Sequence, residues 1–156
     1  MDFISKTFPD TKTHIALFKL TQLQNKDATT VEFPDKASER SASLAKVFNA
    51  HKSHLALINV QYVISLMHLN IAISRALVNR RDGKLMSKDF GSEIIYHCYP
   101  GHRIDNAIES FGLKNCQNAF FAVFVDMDES LIAEIKRELT LASTEELTDL
   151  NRHLEW

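Results

Sequence analysis

The run Ala119-Phe-Phe-Ala-Val-Phe-Val125 is apolar at every position. A strand with one wet face alternates polar and apolar residues, so an unbroken apolar run marks an inner strand covered on both faces. The rest of the chain must therefore supply neighbouring strands and covering helices. Thr13 to Phe18 (THIALF) is apolar and β-leaning and reads as a first strand, and Leu55 to Ile58 as a short buried one. Asp35 to Ala50 reads as a surface helix, with Leu44, Val47 and Phe48 as its apolar positions.

Gln61 to Asn79 is predicted as the central helix. Gln61, Ser65, His68, Ala72, Arg75 and Asn79 form one narrow stripe on its wheel, and nearly all other positions are apolar. A helix apolar almost all round is expected to be covered on two sides. Ser92 to Tyr99 (SEIIYHCY) is predicted as a strand ending at Pro100, and Arg103 to Phe111 as a helix stopped by Gly112. Leu131, Ile132, Ile135 and Leu139 lie on one face of an amphipathic helix. Ser143-Thr-Glu-Glu146 is a capping-box pattern, predicting a last helix with Leu147, Leu150 and Leu154 on its buried stripe. Strands alternating with helices give an α/β class: one domain spanning 1–156, a small mixed sheet packed by several helices. Strand order is left open.

A length of 156 residues suits a single core. No apolar run reaches the roughly 18 residues of a membrane span, and the start MDFISKTFPD lacks a signal-peptide core, so the expectation is a soluble intracellular protein. Cys98 and Cys116 are expected to be free thiols in that setting. The net charge of −2 is uninformative, but its distribution is not. Between residues 75 and 88 stand Arg75, Arg80, Arg81, Lys84 and Lys88 against a single acid, Asp82. Such a patch suits a polyanion or an acidic partner, or is simply a solvated loop.

Catalytic signatures are missing. Gly83, Gly91, Gly101 and Gly112 stand too far apart for a phosphate loop, and there is no nucleophile elbow or HExxH. His51 and His54 lack a third ligand nearby; His97, Cys98 and His102, placed on a strand, would point to opposite faces. Asp126, Asp128 and Glu129 at a strand-to-helix junction are better explained by the helix dipole. The reading is no catalytic residue, no metal, no cofactor and no small-molecule substrate.

The order and spacing of segments from His54 to Asp126 resemble the KEOPS kinase-binding subunit family, also called PRPK-binding proteins. The matching pieces are LALINV (55–60), the helix 61–79, KLMSKDFGSE (84–93), IIYHCYP (94–100), HRIDNAIESFGL (102–113) and NAFFAVFV (118–125), with FPD at 8–10 before HIALF. There are departures. Met86 and Lys88 occupy positions where the family loop is basic, Val60 replaces a proline, Tyr99 replaces the Ser of a Ser-Pro turn, and the family's usual last helix is missing after Trp156.

The resemblance implies a non-catalytic accessory subunit of the complex that makes threonylcarbamoyladenosine in tRNA. Such a subunit binds and stimulates the KEOPS kinase/ATPase subunit and helps hold the tRNA 3′ end, in the cytoplasm and also the nucleus. On that reading Arg75, Arg80, Arg81, Lys84, Ser87 and Lys88 are the RNA-binding residues, with His68 and Asn79 as further polar readers of the RNA. Ile104, Ile108, Phe111 and Leu113 are the expected kinase-facing anchors, since interfaces offer apolar anchors within a polar rim. The alternative is a stand-alone RNA-binding module without a kinase partner, which the basic patch permits but which lacks the interleaved aromatics that stack unpaired bases.

Overall fold

The computed structural model describes residues 8–20, 35–113, 116, 118–142 and 144–147. The elements run β1 (Thr13–Leu20), α1 (Asp35–His51), β2 (Leu55–Asn59), a 3-10 turn (Val60–Tyr62), α2 (Leu66–Arg81), α3 (Phe90–Cys98), α4 (Ile104–Phe111), β3 (Ala119–Val125), α5 (Glu129–Leu141) and β4 (Thr144–Leu147). The four strands form one sheet of order β2-β3-β1-β4. The α/β class is as expected, but every ladder is antiparallel rather than mixed.

The apolar run is β3, and it lies inside the sheet between β2 and β1. Its alternate residues serve two cores. Phe120, Ala122 and Phe124 meet Ala16, Phe18, Leu55 and Leu57 under α1 and α5. Phe121, Val123 and Val125 meet Leu17, Ala56 and Ile58 under α2, α3 and α4. Phe18, Phe120, Phe121 and Phe124 are fully buried, and each contributes on the order of 2 kcal/mol through apolar burial. The sheet is thus the middle of three layers.

Two segments differ from expectation in type. Residues 92–99 form most of helix α3, not a strand. The β-branched pair Ile94-Ile95 and Tyr96 suggested extension, but Phe90, Ile94 and Cys98 recur at helical spacing and are all buried. Asp89 starts the helix by accepting the Ser92 N–H at 2.8 Å. The capping-box segment is β4, with Leu147 opposite Leu17 and Glu145 opposite Lys19. Thr144 is buried and donates its hydroxyl to the Leu139 carbonyl at 2.6 Å, which turns the chain into the sheet. Leu150 and Leu154 lie outside the described residues.

The central helix is shorter and more one-sided than predicted. It starts at Ser65, whose hydroxyl accepts the His68 N–H, while residues 60–62 form the 3-10 turn. Leu69, Ala72, Ile73, Ala76 and Leu77 are buried, so Ala72 belongs to the core and not to a polar stripe. The opposite side, with Met67 and Ile71, is exposed. Among the described residues, no helix is long and apolar enough to cross a membrane.

Helix α3 crosses β2 at its first turn, where the Gly91 N–H donates to the Lys52 carbonyl at 2.8 Å. A Cβ at residue 91 would collide with the Leu55 carbonyl oxygen and press on the Phe48 ring. Gly91→Ala should destabilise the protein by about 2 kcal/mol, the cost of overpacking against backbone, read as a lower urea midpoint at unchanged slope.

Candidate functional site

The basic region is built on the end of α2. Gly83 has φ +67, its N–H donates to the Arg80 carbonyl, and the Lys84 N–H donates to that of Asn79 at 2.8 Å. This is a Schellman cap, which needs the left-handed backbone that glycine adopts freely. The chain then runs through Leu85, Met86 and Ser87 to the Asp89 cap of α3. Ser87 donates its hydroxyl to the Asp89 carbonyl at 2.7 Å. The Met86 N–H points inward and is accepted by both Glu93 oxygens, at 2.6 and 3.0 Å. Glu93 is wholly buried beneath the loop.

The predicted RNA-binding residues fall into two groups. Arg75, Lys84 and Lys88 are exposed, and Leu85 and Met86 stand outward between the two lysines. Arg80 and Ser87 are half-buried and engaged within the protein, and Arg81 is exposed but ion-paired. Arg80 pairs with Asp126 at 2.9 Å and lies over the Phe90 ring, whereas Arg81 pairs with Asp82 at 3.2 Å and faces Phe8. His68 and Asn79, the polar readers expected beside the patch, face inward. His68 accepts the Ile64 N–H on Nδ1 and donates from Nε2 to the Cys98 carbonyl at 2.9 Å. Asn79 donates to Nε2 of His97 at 3.1 Å.

His97 sits between Asn79 and Glu93, its Nε2 3.8 Å from a Glu93 oxygen. Burial pushes its pKa below the ordinary imidazole value; the Glu93 carboxylate pulls it partly back, and Arg75 pushes it down again. Sequence reasoning missed Glu93 because the segment was placed on a strand, where it would not have met the loop. The signal was there in Asp89 and Glu93, a cap residue and a first-turn acid.

The expected anchors are dispersed by depth. Ile108 is exposed, Ile104 and Leu113 are half-buried, and Phe111 is core. Phe111 packs beneath Tyr62, His68 and Tyr99 with ring centroids 5.7 to 6.4 Å apart, so it supports the surface from below. Ile108 and Leu113 border an apolar groove of about 440 Å³ whose far wall is Leu44, Ala45 and Phe48 of α1. A second apolar surface went unforeseen: Tyr62, Ile64, Met67 and Ile71, at 44 to 70% exposure, run from the 3-10 turn along the outer side of α2. The expectation of a helix covered on two sides concealed it.

Among the described residues, no three His, Cys, Asp or Glu side chains gather as a metal site. Asp126, with φ +54, is tied to Lys12 and Arg80, while Asp128 and Glu129 stand at the N-terminus of α5. Cys98 and Cys116 are free thiols, and burial pushes them up to about 12 and about 11.

The family described as kinase binding protein CGI-121 matches residues 15–155. The EKC/KEOPS complex subunit CGI121 of Debaryomyces hansenii is 36% identical over 62 residues, covering 39% of this chain and 32% of that protein. Its counterpart in Candida albicans is 26% identical over 154 residues, covering 92% and 71%. The EKC/KEOPS complex subunit TPRKB of Danio rerio is 26% identical over 101 residues, covering 60% and 58%. The matched stretch thus spans about a third of the first relative and under two thirds of the third.

The depressed His97 pKa has a consequence for stability. The unfolded chain binds this proton more readily than the folded one, so the contribution is present above the unfolded imidazole value near 6.5 and is lost as pH falls below it. Urea midpoints measured from pH 7.5 down to 5.5 should fall, and His97→Gln should flatten that fall. His14, also depressed by burial, accounts for a remainder.

Proposed function

The chain belongs to the CGI-121 family of kinase-binding proteins, and from that premise we propose that it is a non-catalytic accessory subunit of an EKC/KEOPS complex. In this role it docks on and stimulates the kinase/ATPase subunit and helps hold the tRNA 3′ end during threonylcarbamoyladenosine formation. The observation that carries the reading is the exposed row Tyr62, Ile64, Met67 and Ile71. A chain of this size rarely leaves so many large apolar side chains together in water unless a partner covers them. Met and Tyr are also residue types enriched at the centre of interfaces. We assign the kinase to this row, with Ile104 and Ile108 on α4 and Leu113 just after it as a second contact. Phe111 acts there by holding Tyr62 in place.

The tRNA belongs on the basic loop. Lys84 and Lys88 are its outward cations, joined by Arg75 further back along α2. Leu85 and Met86 offer apolar contact to an unpaired base where an aromatic is missing. Arg80 and Arg81 add to the local potential, held in ion pairs, and Ser87 acts through the loop backbone.

Two measurements test the two halves. The purified chain should show no ATPase or transferase activity alone, because no nucleophile and general base are assembled among the described residues, yet a stoichiometric amount should raise ATP turnover by the cognate kinase. Ile71→Glu should abolish that stimulation and weaken kinase binding by about 30-fold, as loss of a central anchor does, and turnover indifferent to the wild-type chain overturns the role. Ile108→Glu reads the α4 surface separately. For RNA, Lys84→Ala with Lys88→Ala should weaken tRNA binding at low salt and reduce the salt slope by about two, one for each phosphate that is no longer neutralised.

A further inference from the structure

A wholly buried carboxylate lies directly under the most basic segment of the chain, and the electrostatics of that segment would be simpler without it. Glu93 removes one positive charge from the net field that Lys84, Lys88 and Arg75 present. Among the described residues it also lacks a lysine or arginine partner within 4 Å. The basic side chain within ion-pair reach among the described residues is His97 at 3.8 Å, which burial favours in the neutral form, and the Arg80 and Arg81 guanidinium groups are held by Asp126 and Asp82. What the carboxylate does have is the Met86 N–H, accepted by both oxygens; the Ser87 hydroxyl stands 3.5 Å away with its proton given to the Asp89 carbonyl. A buried carboxylate is tolerated only where hydrogen bonds replace its water. Here the replacing donor, the Met86 N–H, comes from the middle of the loop.

We infer that Glu93 is the positioning residue of the basic loop: by capturing the Met86 N–H from below, it turns the backbone between Lys84 and Lys88 inward and so presents both lysines outward to a polyanion. The inference rests on the reading of this loop as the tRNA-binding surface. Among the described residues, the loop's other bonds lie at its ends. The Schellman cap holds Lys84 to Asn79, and the Ser87 hydroxyl and Asp89 cap hold the entry to α3. Among the described bonds, the central span depends on Glu93. Charge-assisted bonds to a backbone N–H are shorter and stronger than neutral ones, and the 2.6 Å distance belongs to that class. A cationic loop held in one shape loses less conformational entropy when phosphates bind it.

Glu93→Gln separates positioning from plain electrostatics, because the two predict opposite signs. The substitution deletes a negative charge beneath a polyanion site, so Coulomb attraction alone makes tRNA bind more tightly. Positioning makes it bind more weakly, by about tenfold, since Gln keeps one neutral acceptor and loses the charge that strengthens the bond. The Met86 amide proton of the wild type should resonate far downfield and move upfield in Glu93→Gln. Weaker binding together with that shift supports the inference; binding that is unchanged or tighter overturns it, as does weaker binding with an unmoved Met86 amide. Met86→Pro, compared with Met86→Ala, removes the N–H while leaving the carboxylate in place, and it carries the test if Glu93→Gln fails to fold. Met86→Pro must then bind tRNA more weakly than Met86→Ala, and equal affinities overturn the inference. If Lys84→Ala with Lys88→Ala leaves tRNA binding intact, the loop is not the RNA surface and both readings fall. If that double variant loses binding while Glu93→Gln does not, only the positioning role falls.

Discussion

The arrangement of this protein depends on the two-sided burial of β3. A strand with Phe120, Ala122 and Phe124 on one face and Phe121, Val123 and Val125 on the other cannot lie at a wet surface. That requirement places β2 and β1 beside it and a helical layer on each face of the sheet. It also fixes where the remaining polar chemistry can go. The helices bury their sheet-facing residues, and what they have left to offer faces outward or toward one another.

Helix α2 shows the trade most clearly. Ala72, Ser74 and Ala76 are small, so the helix lies close on its neighbours. Ile71 and Met67, larger and on the other side, are then left in solvent. Tight packing inside and apolar exposure outside come from the same choice of residue sizes. Between α2 and α3 the polar side chains pair across the helices, Asn79 with His97 and His68 with the Cys98 carbonyl. These bonds set the helices' relative position and engage two half-buried side chains that looked available in the sequence.

Much of the fold was legible because its signal is local. The apolar runs of β1, β2 and β3, the amphipathic stripe of α5 and the Gly112 stop of α4 all found their elements within a few residues. The misreadings share another cause. Residues 92–99 and 143–147 carry local patterns that fit two states, and distant partners decided between them: the edge of β2 for α3, and β1 for β4. The same holds for the site. The basic patch is visible as composition, but the division between outward lysines and engaged arginines depends on Asp126 and Phe90, 46 and 10 residues from Arg80 in the chain. Glu93 was hidden for that reason too, and so was the exposed apolar row, whose residues looked like core until the helix proved covered on one side only.

The left-handed turn at Asp126 ties these layers together. Its backbone N–H donates to the Lys12 carbonyl, its carboxylate takes the Lys12 N–H and the Arg80 guanidinium, and so the last turn of α2 is moored to the rim of the sheet. At the other end Gly91 moors α3 to the segment leading into β2. The loop from Asp82 to Asp89 therefore hangs between two fixed posts, like a removable span. Its location is encoded in Asp126 and Gly91, and its chemistry in the side chains at 84–88. The two are physically separate, so a side chain at position 86 can be exchanged without moving the surface on which it stands.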